Sequence, residues 1–249
     1  MHLTKTFVVL FLFAAMAVVP WASAATCSNA SIKGVYGSLH SGSNAIGPVA
    51  GISRLAVDGA GNITGWASKS INGTIYTYDF TGTYQINKDC TGNLTVTNQD
   101  GNNVHDNIYL NNGNKGAFEI QTDAQTVVTI VVIAQGTAVC TNPGVKHTYS
   151  IELTGTALSV GQVAGAGRLT LNGAGAITGS MTVSLAGNIG NALPVTGTYS
   201  IKSDCTGTAQ ITPQGLDPIN LGLFIVNSDK QILAVETDTN TIVSGMFEE

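Results

Sequence analysis

Gly82-Thr-Tyr-Gln-Ile-Asn-Lys-Asp-Cys-Thr-Gly92 returns 115 residues later as Gly197-Thr-Tyr-Ser-Ile-Lys-Ser-Asp-Cys-Thr-Gly207. In each copy a Tyr and an Ile alternate with polar residues, the period of a half-buried strand. The Asp-Cys-Thr-Gly run that follows is turn chemistry. Working outward, Arg54-Leu-Ala-Val-Asp-Gly-Ala-Gly-Asn-Ile-Thr-Gly65 pairs with Arg168-Leu-Thr-Leu-Asn-Gly-Ala-Gly-Ala-Ile-Thr-Gly179. Cys27-Ser-Asn-Ala-Ser-Ile-Lys-Gly-Val-Tyr36 pairs with Cys140-Thr-Asn-Pro-Gly-Val-Lys-His-Thr-Tyr149. Towards the end of each copy, Phe118 and Asp123 match Phe224 and Asp229 at an offset of 106, which places a longer loop in the first copy near residues 100–114. Matches that keep one order at nearly one offset mark an internal duplication. Each unit is about 110 residues, the size of an independent domain.

The rest of each unit alternates in the same way. Leu55 and Val57 (Leu169 and Leu171 in the second copy) lead into Asp58-Gly-Ala-Gly61 and Asn172-Gly-Ala-Gly175, whose glycines suit a hairpin. Ile63, Gly65 and Ala67 form the next inward row, followed by Tyr76, Tyr78, Phe80, Tyr84 and Ile86, then by Leu94 and Val96. The second copy answers with Ile177, Met181, Val183, Leu193, Val195, Tyr199, Ile201, Ala209 and Ile211, and places its last strands near 221–226, 231–236 and 242–247. Seven or eight short antiparallel strands with one apolar face, in about 110 residues, suggest a small barrel or a sandwich. The expected fold is all-β: two tandem antiparallel meander β-barrels of about eight strands each, joined around 136–140. One fused barrel of about sixteen strands is the structural alternative. An outer-membrane pore is opposed by an aromatic content of only 6%, because membrane barrels carry aromatic girdles.

Residues 1–24 form an expected signal peptide, cleaved before Ala25. Lys5 gives a positive start, Phe7 to Val19 an apolar run too short to span a bilayer comfortably, and Ala22-Ser23-Ala24 a small-residue cleavage site. An uncleaved anchor is the alternative. The units then occupy 25–138 and 139–249, and no integral membrane span is expected after processing. The expected location is secreted, periplasmic or extracellular. Charged residues make up 10% and the formal net charge is −5, without basic clusters, which excludes nucleic acid as a partner. Low charge with 43% hydrophobic residues also excludes a solvated disordered chain.

The four cysteines fall two per unit at matching places. Four allow three pairings. Duplication favours Cys27–Cys90 and Cys140–Cys205, because each unit must once have stood alone. Zinc is disfavoured for want of a Cys-x-x-Cys pair or a neighbouring His.

No catalytic set, metal site or cofactor is expected. Histidines 40, 105 and 147 are scattered, and His105-Asp106 reads as a solvated loop pair. Gly-x-Ser-x-Gly, Ser-x-x-Lys and phosphate-loop patterns are missing from the sequence. Asp58-Gly-Ala-Gly-Asn62 lacks the ligands of a calcium loop and reads as a hairpin turn. Asn29, Asn62, Asn72 and Asn93 head glycosylation sequons, which matter only where the source modifies them. Of the polar residues kept in both copies, Arg54 alternates against Leu55 and Val57 and so points away from the apolar face. The candidate ligand-binding residues are the row Tyr76, Tyr78 and Phe80, with Tyr36, Tyr84, Tyr149 and Tyr199: apolar bodies with hydroxyl handles. A filled core is the competing reading.

Cys27…Ile32-Lys-Gly34-Val-Tyr36 followed by Leu55-Ala-Val-Asp-Gly-Ala-Gly-Asn-Ile-Thr-Gly65 resembles the opening hairpins of the calycins, the lipocalin and avidin group, with Tyr36 where those carry Trp. The resemblance implies a ligand-holding barrel and transfers no ligand residue. The Gly-Thr-Tyr…Asp-Cys-Thr-Gly pattern is similar to secreted bacterial tandem β-domain proteins, which implies export and carries no activity. The expected function is non-catalytic binding of a small apolar or amphipathic ligand outside the cytoplasm. A surface, adhesion or matrix role, including contact with glycans or ice, is the alternative. A barrel isomerase or cyclase comes third and would require a buried carboxylate or tyrosine with perturbed titration. The oligomeric state stays open.

Overall fold

The structure, a computed structural model, describes residues 26–111 and 115–249. The expected signal peptide and its cleavage point lie outside them. Eight strands form a first closed antiparallel barrel: β1 (Gly34–Asn44), β2 (Gly47–Val57), β3 (Asn62–Ile71), β4 (Thr74–Ile86), β5 (Thr91–Asn98), β6 (Asn103–Leu110), β7 (Gly116–Gln121) and β8 (Val127–Ala134). Eight more form a second: β9 (Thr148–Ala157), β10 (Gly161–Leu171), β11 (Ala176–Leu185), β12 (Asn188–Ile201), β13 (Thr206–Pro213), β14 (Ile219–Val226), β15 (Gln231–Glu236) and β16 (Thr241–Glu248). Each meander closes by pairing its last strand with its first, β8 with β1 and β16 with β9. Closure removes the edges that would otherwise template aggregation. There are two barrels, not one fused barrel of sixteen strands.

One end of each barrel is capped in the same way. A 3-10 turn, Asn29–Ile32 or Pro143–Val145, crosses the opening. Asn29 Oδ1 accepts from the Ile86 N–H at 2.7 Å, and Tyr84 donates its hydroxyl to the Asn29 carbonyl at 3.1 Å. Asn142 repeats both bonds with Ile201 and Tyr199. Disulfides Cys27–Cys90 and Cys140–Cys205 lock each cap to the β4–β5 or β12–β13 turn. Closing loops of 63 and 65 residues is worth about 4 kcal/mol each in the chain-entropy treatment. The glycine loops are hairpin turns. Asp58 Oδ1 accepts from the N–H groups of Ala60, Gly61 and Asn62, while Gly59 takes a left-handed φ of 80°. The Asn62 side-chain amide donates to Asp58 Oδ2 at 2.6 Å and, with the backbone bonds, holds the Asp58 carboxyl down at about 2.

The two barrels keep one offset through their last strands, against the expected offset of 106. Asp123 receives the His105 N–H at 3.0 Å, and its counterpart Asp238 receives the Asn220 N–H at 2.8 Å. Asp106 pairs with Gln121 across β6–β7, and Leu221 with Glu236 across β14–β15. The offset of 115 therefore runs to the end of the repeat, and residues 100–114 hold no long insertion. Phe224 corresponds to Tyr109, not to Phe118.

The barrels dock side by side through outer faces. Val35, Leu39, fully buried Ile52 and Trp66, on β1 to β3, join one apolar cluster with Phe224, Val226, Leu233 and Val235 of β14 and β15. A Cβ added to Gly37 would stand 2.5 Å from a Val226 methyl, so β1 approaches β14 as closely as glycine allows. The Asn227 N–H donates to the Ala134 carbonyl at 2.9 Å, and the Asn240 N–H to that of Gly73 at 2.8 Å.

Candidate functional site

The interior of the first barrel divides in two. Near the capped end Tyr36, Leu55, Val57, Ile63, Tyr84 and Ile108 leave a void of only about 20 Å³. Towards the other end lies a polar chamber of about 60 Å³, lined by Ser38, His40, Ser53, Lys69, Asp106 and Glu119 together with Tyr78 and Phe80. Glu119 borders both spaces. Strand alternation puts these side chains inside. Ser38 and His40 share the face of Tyr36 on β1, Lys69 that of Ala67 on β3, Asp106 that of Ile108 on β6, and Glu119 that of Ala117 on β7.

Three groups at the β1–β2 wall bind one another. Ser38 donates its hydroxyl to Ser53 Oγ at 3.0 Å, and His40 Nε2 lies 2.9 Å from Ser38 Oγ and 2.6 Å from Ser53 Oγ. Among the described residues His40 Nδ1 has no hydrogen-bond partner, and neither does Asp106 Oδ1. His40 and Glu119 are 6% exposed and Asp106 is 4% exposed. Unpartnered polar atoms at such depth cost stability.

Burial, helped by the Lys69 charge, holds His40 well below its ordinary value, so it is neutral at pH 7. Burial, then the Asp106 charge, pushes Glu119 up to about 8, with Lys69 opposing. Burial pushes Asp106 up to about 6, again against Lys69. Near neutrality Asp106 is mostly ionised and Glu119 mostly keeps its proton. At the rim, Asp123 is held below the carboxylate range by hydrogen bonds from His105 and Gln121, which outweigh its desolvation.

The second barrel is the control for these positions. Ladder registers place Ile151, Leu153, Gly167, Val183, Leu221 and Ala234 where the first barrel has Ser38, His40, Ser53, Lys69, Asp106 and Glu119. The fold builds this barrel without a single polar side chain at those places.

The aromatic row is on one inward face of β4, with Phe80 buried, Tyr78 half-buried and Tyr76 43% exposed at the open end. Tyr78 and Phe80 line the chamber, whereas Tyr36 and Tyr84 belong to the apolar half. Tyr199 braces its cap, and Tyr149 donates to the Asp229 carbonyl at 2.9 Å in the second barrel. The structure thus gathers two of the seven candidate residues at the polar site. Sequence reasoning missed His40, Lys69, Asp106 and Glu119. His105-Asp106 is strand rather than solvated loop: His105 faces out to Asp123, and Asp106 faces in.

Among the described residues no helix is long and apolar enough to cross a membrane. The fold and the chamber define the class: a tandem β-barrel protein with disulfide-locked caps, an architecture that fits binding or structural roles and suits an extracellular or periplasmic setting. No family model matches the chain, and none of the curated proteins matches it. A solved structure, Aeromonas veronii immune modulator A, aligns over 87% of this chain and 94% of its own at 12% identity, with a TM-score of 0.26. A likeness at that score carries no inference about this chain.

Proposed function

We propose that the chain is an exported binding protein whose first barrel takes a small amphipathic molecule head first. The polar head enters the chamber beside Asp106, Glu119 and Lys69, and the apolar remainder lies along Phe80, Tyr78 and Tyr76 towards the open end. The observation that carries this reading is the polar set inside one barrel where the duplicate has apolar residues. A buried polar cluster that the fold does without, at a cost in stability, is the mark of a site. The chamber is small beside the roughly 300–1,000 Å³ of a drug-sized pocket, so it suits a head group rather than a whole ligand.

The test is a thermal-shift panel of small amphipathic metabolites. It compares the native chain with a variant carrying His40→Leu, Lys69→Val, Asp106→Leu and Glu119→Ala, the residues of the second barrel. The variant folds and gains stability, and ligand-induced shifts vanish. No shift in the native chain, or no ligand whose shift the variant loses, ends the proposal. A second reading, a barrel isomerase, is favoured by two carboxyls in one chamber that titrate on either side of neutrality. Turnover of a bound carbonyl compound, abolished by Glu119→Gln with binding retained, would separate it from simple binding.

A further inference from the structure

The uncapped end of the second barrel is hollow where the first barrel is polar. Leu153, Val163, Met181, Val183, Leu216 and Val243 wall a cup of about 220 Å³. It lies among the turns after β9, β11, β13 and β15, opposite the cap. The charged groups lining it are both acidic: Glu236, inward on β15, and Asp217 in the β13–β14 loop. Among the described residues no Lys, Arg or His lines it. In the first barrel the position of Glu236 holds Gln121, an amide tied to Asp123 at the rim by a 3.0 Å bond. The second barrel thus sets a carboxyl against a hydrocarbon wall where its duplicate has a neutral group.

The geometry points to a separate binding site in the second barrel for a small primary amine with an apolar body of about eight non-hydrogen atoms. The size follows from scale: an apolar cavity of about 150 Å³ accepts benzene. The charge follows from complementarity. A carboxyl half-withdrawn into an apolar cup is poorly solvated, and an ammonium delivered with its own hydrocarbon supplies the opposite charge that the described lining lacks while covering the wall. Burial, then the neighbouring Asp238, pushes Glu236 up to about 7, with the Thr241 hydroxyl opposing. An ammonium ligand stays charged through that range, so its affinity rises as pH climbs through 7 and the carboxyl ionises.

Benzylamine is the probe, with benzyl alcohol and benzoate as controls of nearly equal size, read by calorimetry and by chemical shifts of the cup methyls. Benzylamine binds one to one. Glu236→Gln weakens it roughly tenfold or more, and Val163→Trp, which fills the mouth, abolishes it. Benzoate does not bind. The four-residue chamber variant of the first barrel binds benzylamine unchanged, so this site and the first-barrel proposal stand or fall separately. Absence of saturable benzylamine binding, benzyl alcohol binding as tightly as the amine, or indifference to Glu236→Gln overturns the assignment.

Discussion

Glu119 keeps its proton in the folded barrel up to about pH 8, whereas the unfolded chain releases it above about 4.5. Between those values the native state binds more protons than the unfolded state, so stability falls as pH rises. Glu119→Gln keeps the shape and removes the titration. Urea midpoints measured from pH 5 to pH 8 should show the variant gaining on the native chain by up to about 1.4 kcal/mol per pH unit; a constant gap would mean that Glu119 ionises freely in the folded protein. His40 works in the opposite sense, since its depressed value makes the native state resist protonation and lose stability as pH falls below about 6.5. None of this was legible from local pattern. A His between Leu39 and Ser41 and a Glu between Phe118 and Ile120 look like ordinary polar positions on a half-exposed strand. Their burial comes from closure of the sheet, which brings β1, β3, β6 and β7 to one axis. The usable signal lay in the duplication: His40 falls opposite Leu153, and Ser38 opposite Ile151, at the offset of 113 set by the tyrosines.

At the scale of the strand, inward faces were legible and outward faces were not. Leu55, Val57, Ile63 and Tyr84 alternate as read and are buried inside the first barrel. In β14 and β15 both faces are buried, because the outer one is covered by the other barrel. No local period encodes that cover, and it drew the late alignment off register by matching Phe118 to Phe224. The true counterparts of Phe224, Leu233 and Val235 are Tyr109, Phe118 and Ile120. The first three are at most 1% exposed, whereas Phe118 is 58% exposed. Equivalent strands thus carry the same apolar outer row, covered in one barrel and open in the other. Phe118→Lys should change the unfolding free energy by no more than about 0.5 kcal/mol. Leu233→Lys should cost about 3 kcal/mol or more, since it strands a charge in the seam. Chemical denaturation of the two variants decides the matter. A large loss from Phe118→Lys would show that something covers this face in solution, and would favour a role exercised through the exterior.

Across the whole molecule the seam behaves as core rather than as a contact between finished domains. Ile52, on the outside of the first barrel, is fully buried and clusters with the interior of the second. The two similar barrels suggest an internal repeat, yet each exposes an apolar face once its neighbour is removed. Coupling of this kind makes two similar units melt as one. Gly37 tests it, because its missing side chain is what lets β1 approach Val226, Phe224 and Leu233. Gly37→Val should wedge the seam, cost about 1–3 kcal/mol, and split a single calorimetric transition into two. Ser150 holds the same place in the second barrel, on an exposed outer face, so Ser150→Val should leave one transition and nearly the same midpoint. Two transitions in the native chain would refute the coupling. So would a soluble, monomeric second barrel expressed alone, because Phe224, Leu233 and Val235 would then tolerate water. If the coupling holds, ligand bound in either barrel raises the shared midpoint by mass action. Occupancy of one barrel then protects both from the unfolding that precedes proteolysis.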